Sequence, residues 1–286
     1  ISGNAGNGVV VAGASGSSIR GNYIGTNAAG NAALANTAYG IRVVQTSSLN
    51  IGSSTAGSGN LISGNARGMS IEAVASHVTV AGNILGLNAA ANAVLPNGSD
   101  ADTITITGPD ATIGGTLAGA GNIIAGNQNT AISVRLASAT NAIIQGNWIG
   151  TNPALAPNLG NQVIGILIDR ADGVLIGGTA VGAGNVIANN GFFGILAENG
   201  TGNSVLGNAI YGNAPLQLDI AEQGPESNDP LDPDSGSNFR QNFPIIHSAA
   251  FAGGNIALVA TLASKPSQDY RIEFFQAAAC SPAGLG

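Results

Sequence analysis

A five-residue frame recurs along this chain: Gly, apolar, any, apolar, any. It reads "GVVVA" at 8–12, "GIRVV" at 40–44, "GMSIE" at 68–72, "AISVR" at 131–135, "GILID" at 165–169 and "GILAE" at 194–198. "TITIT" (103–107) and "PLQLD" (215–219) fit the frame more loosely. An alternation of period two predicts half-buried strands, with positions two and four inward and positions three and five outward. Gly and Asn punctuate the strands where the chain must turn through positive φ.

The frames belong to a longer period. The last Gly-Asn or Asn-Asn pairs of "ISGN", "GNLISGN", "GNIIAGN" and "GNVIANN" begin at residues 3, 64, 126 and 189, in steps of 61, 62 and 63. "GNYIGTN" (21–27), "GNILGLN" (82–88), "GNWIGTN" (146–152) and "GNAIYGN" (207–213) keep the same step. So do "IGSST" (51–55), "IGGTL" (113–117) and "IGGTA" (176–180). Each period holds two turns of about 30 residues, and each turn predicts three short strands joined by Gly-Asn corners. Such units cannot bury their faces alone, so they stack. The pattern predicts a β-solenoid of about eight turns over residues 1–220, roughly 38 Å long at one strand spacing per turn.

Two loop families interrupt the turns. "SSTAGSG", "GGTLAGAG" and "GGTAVGAG" precede third strands, whereas 26–39, 87–101 and 151–164 precede first strands. The constant phase should stack each family along its own edge. The second family is expected to wall one side of the first-strand face. From 221 to 243 the chain is acidic and rich in Pro, Gly, Ser and Asn, which predicts a linker or cap loop. Residues 244–286 read as part of a small β-sandwich.

The motifs "GNxIGTN", "IGGT" and "GNVI" resemble the right-handed parallel β-helix repeats of secreted and surface bacterial proteins. The resemblance covers about residues 1–220 and supplies the handedness. "FPII", "YRIEFF" and "CSP" match the start of the Ig-like module into which such proteins often continue. What the resemblance implies is an extracellular or cell-surface location. The architecture serves pectate lyases, glycosidases and inert stalks alike, and the resemblance carries no catalytic residue onto a named position, because the "NTD", "DD" and "RIK"-like motifs of the pectinase-type glycosidases are absent here.

Composition limits the partners. Apolar residues make up 44% of the chain and charged residues 8%, so a narrow core of Ile, Val, Leu and Ala can be buried. A net charge of −7 argues against nucleic acid and anionic membranes. No apolar run reaches the roughly 18 residues of a membrane span. Cys280 is the single cysteine, which excludes an internal disulfide and a cysteine metal cluster. The chain opens inside a repeat and stops inside a β segment, so it reads as a piece of a longer protein.

Candidate chemistry lies on the outward column at position five. It runs Glu72, Thr107, Arg135, Asp169, Glu198, Asp219 on successive turns. Three neighbouring carboxylates should raise one pKa or bind a cation. Asp169, Glu198 and Asp219 are therefore the candidate catalytic residues, at spacings that suit a glycoside hydrolase. Lyase chemistry is less well served. Arg135 and Glu72, with an apolar shelf of Leu167 and Leu196 at position three, are the candidate substrate contacts. The competing reading of the column is a solvated acidic edge that discourages strand pairing. "DPDSGSN" has the rhythm of a calcium loop and suggests Ca²⁺ at Asp232, Asp234 and Asn238, without the closing Glu. Hydrolysis itself would require no cofactor. The expectation is a secreted protein that binds a polysaccharide, with glycoside hydrolysis as the activity if it is an enzyme; the alternative is a non-enzymatic adhesin or structural spacer.

Overall fold

The computed structural model describes residues 1–98, 101–220, 224 and 227–275. Part of the expected linker (221–223, 225 and 226) and the C-terminal 276–286, with Cys280 and "CSP", lie outside the described residues. The chain is a right-handed parallel β-helix with a small antiparallel sheet after it. Three parallel sheets run along the solenoid, with eight, seven and seven strands. The first sheet begins at Val9–Ala12 and ends at Leu218–Asp219, one strand per turn.

The core is built from stacked apolar lines contributed by all three sheets, the first sheet adding a second line of Val43, Ile71, Ile106, Val134 and Ile168. In the first sheet, Ile41, Met69, Ile104, Ile132, Ile166 and Ile195 stand in register. In the second the line includes Ile51, Val80, Ile113, Ile144 and Ile176. In the third it includes Ile24, Ile62, Leu85, Ile124, Ile149 and Ile187. All are fully buried. Similar side chains stack on one another at every turn, which is why small and medium apolar residues fill this narrow core.

The corners are held by amides. Asn4, Asn36, Asn65, Asn97, Asn127, Asn161, Asn190 and Asn213 form one ladder, each Nδ2 donating to the next Oδ1 at 2.7–3.1 Å. Asn22, Asn60, Asn83, Asn122, Asn147, Asn185 and Asn208 form a second at 2.8–3.0 Å. The "IGGT" glycine is also explained. Gly114 sits at φ +87, and a Cβ there would collide with the Gln145 carbonyl of the next turn.

The second loop family stacks, as Ala89 N donates to Gly30 O (2.9 Å) and Asn152 Nδ2 to Ala91 O (2.8 Å). These loops reach two faces: Val163 and Ile164 pack on the first sheet, and other members pack on the third. Leu87 and Leu159 bury themselves against Ile84 and Ile123 on the outside of the third sheet. After the solenoid, Ile245–Ala252 and Asn255–Thr261 pair antiparallel across Gly253-Gly254, both at positive φ, as a tight hairpin requires. Tyr270–Phe275 carries no strand.

Candidate functional site

The outward column exists, but it is shorter than the sequence frame implies. Arg135, Asp169 and Glu198 are register partners on three adjacent strands. Asp219 is not in that column. It pairs with Leu196, two positions earlier, and is buried, accepting the Gly224 N–H at 3.0 Å. The shift has a local cause. Gln217 accepts the Asn213 Nδ2 bond at 2.9 Å, taking the place of the next ladder amide and drawing "PLQLD" out of frame. Glu72 is three strands from Asp169, about 14 Å away along the sheet. It forms an ion pair with Arg42.

The apolar shelf is covered. Leu167 and Leu196 are 5% and 4% exposed, packed beneath Ile164 and Phe193 with Val163 and Leu216 alongside. They point outward, as the alternation predicts, but the residues leading into each strand fold over them. A glycan has no access to that surface.

Charge compensation is also different. Arg135 turns back along the face to Asp102, with Nη2 and Nε at 3.0 and 3.2 Å from Oδ2. Asp169 is instead gripped by its neighbour Arg170, Nε to Oδ1 and Nη2 to Oδ2, both at 2.9 Å. Arg170 occupies the left-handed region at φ 60, which turns the chain as it leaves the strand. This two-point bond holds the Asp169 carboxyl below the ordinary carboxylate range, with burial opposing and the charges of Arg170 and Arg135 assisting. At Asp169 the direction is opposite to the rise expected of a crowded carboxylate. The column read from the sequence leaves out both Arg170 and Asp102. Arg170 lies one residue past the frame, and Asp102 precedes its strand.

A retaining hydrolase needs one carboxylate free to attack and a second held protonated. The strand spacing between Asp169 and Glu198 meets the distance requirement. However, both Asp169 oxygens accept from a guanidinium, which blunts it as a nucleophile. Two clefts lie elsewhere. One, of about 320 Å³, includes Val205, Leu206, Asn242, Tyr270 and Glu273 in its lining. The other, of about 230 Å³, sets Trp148 against Gly115, Thr116, Gly146 and Gly182. Neither includes Asp169 or Glu198.

Comparison with protein-family models, curated proteins and solved structures gave no match. The reading of this site therefore rests on the residues themselves. Among the described residues, no helix is long and apolar enough to cross a membrane.

The expected calcium set also changes. The Asn238 amide is engaged at the solenoid end, donating to Asn203 O (2.6 Å) and accepting Asn203 N–H (2.9 Å). The third carboxylate is Asp229, and ligand atoms of Asp229, Asp232 and Asp234 all lie within 4.8 Å of one another.

Proposed function

We propose that this chain is a non-catalytic, rigid solenoid serving as a spacer and loop-bearing scaffold at a bacterial cell surface. The observation that carries this reading is the two-point clamp of Arg170 on Asp169. It leaves the central carboxylate of the column compensated inside the protein. The buried Asp219 and the covered leucines support the same view. The stacked cores and amide ladders supply the stiffness a spacer needs. The hairpin fits the opening of a further β-sandwich module.

A second reading keeps one support. Asp169 and Glu198 remain register neighbours on the outer face, so a glycan could lie across them. The test is release of reducing sugar from a panel of polysaccharides by the parent, Arg170→Ala and Glu198→Gln. The spacer reading expects no release by any of them. Release by the parent that disappears in Glu198→Gln would overturn it and restore the hydrolase.

A further inference from the structure

The carboxylate cluster after the solenoid has the dimensions of an ion site. Two oxygens bound to one Ca²⁺ at about 2.4 Å can be no more than about 4.8 Å apart. Asp229, Asp232 and Asp234 each place a ligand atom within that limit of the other two. Asp232 is 2% exposed, so its charge has little help from water. Among the described residues, none of the three is in an ion pair with Lys or Arg.

A second observation is independent of the clustering. Asp229 Oδ1 is buried from solvent and accepts no hydrogen bond. Ser237 Oγ, three residues past Asp234, is buried and unpartnered as well. A buried carboxylate oxygen without a donor is costly, because desolvation is not repaid. A cation repays it. The neighbouring bonds show why Asp232 is fixed in place: Ser264 Oγ donates to its Oδ2 and Asn242 N to its Oδ1 (3.3 Å). Asn242 Nδ2 in turn bridges Asp229 O and Ala263 O, both at 2.7 Å. The cluster thus joins the segment leaving the solenoid to the far end of the hairpin.

We infer that Asp229, Asp232 and Asp234 bind one Ca²⁺ that pins the C-terminal hairpin to the segment leaving the solenoid. Three carboxylates on an irregular segment suit Ca²⁺, which accepts flexible oxygen shells, better than Mg²⁺, which demands an octahedron. The inference stands apart from the proposed spacer role.

The test is calorimetric titration of the 286-residue chain with CaCl₂ after chelator treatment and its removal, together with limited proteolysis around 227–242. The expected result is one ion per chain and slower cleavage with Ca²⁺. Asp229→Asn combined with Asp234→Asn should weaken binding at least tenfold and abolish the Ca²⁺ protection. Circular dichroism checks that this variant keeps its β spectrum; if it does not fold, Asp234→Asn alone serves. No saturable binding by the parent up to 10 mM Ca²⁺, about ten times the weakest extracellular calcium modules, would refute the site. So would unchanged binding by the folded variant, which would place the ion elsewhere.

Discussion

Asp169 shows how one corner residue can redirect a site. Its carboxyl is held below the ordinary range when folded, so its pairing adds stability that is complete above about pH 4. That contribution is lost as pH falls through the lowered folded-state pKa. Arg170→Ala should therefore lower Tm at pH 6–7, and the difference should shrink as pH falls through the lowered folded-state pKa of Asp169. Melting curves of both proteins from pH 2 to 7 provide the check. A difference of constant size down to pH 2 would mean that Arg170 acts through packing. The period of the chain was enough to align Asp169 with Arg135 and Glu198, because register follows from repeat length. It could not show the guanidinium returning from φ 60, because that depends on how the corner turns.

Among the strands, inward and outward positions follow the alternation, yet outward is not the same as accessible. Leu167 and Leu196 face away from the solenoid core and are still buried by Ile164 and Phe193. If the pair is a small secondary core, Leu196→Ala should destabilise the protein by about 2–4 kcal/mol. A solvated shelf would lose almost nothing. Equilibrium denaturation of parent and variant separates the two. The misplaced expectation arose because residues 163–164 and 192–193 lie outside the strand frame. Whether such flanking residues cover a face is decided by the path of the loop.

Along the whole molecule, the two amide ladders connect turns that touch only their neighbours. Asn122 illustrates the arrangement. Its Oδ1 accepts from Asn83 N and Nδ2 at 3.0 and 2.9 Å, and its Nδ2 donates to Val80 O and Asn147 Oδ1 at 2.7 and 2.9 Å. Every hydrogen-bonding position of the side chain is used. Asn122→Ala leaves buried partners unsatisfied on both adjacent turns and should cost about 3 kcal/mol or more. Thermal and denaturant unfolding would measure it, and a loss below about 1 kcal/mol would show that the ladder adds little to the stacked cores.

The sequence by itself determined the solenoid: turn length, three strands per turn, core positions and the corner Asn residues. These are local and repeated, so periodicity alone encodes them. It also placed Arg135, Asp169 and Glu198 in one column. The tertiary structure decided what that column is. The end of the solenoid withdrew Asp219, because the last ladder amide takes Gln217 as its partner. Corner geometry turned Arg170 onto Asp169, and loop packing closed the leucine shelf. Past the repeat, where no period guides the reading, the fold brought Asp229 beside Asp232 and Asp234 and turned the Asn238 amide onto Asn203. Each of these outcomes depends on non-repeating contacts, which a repeat pattern cannot carry.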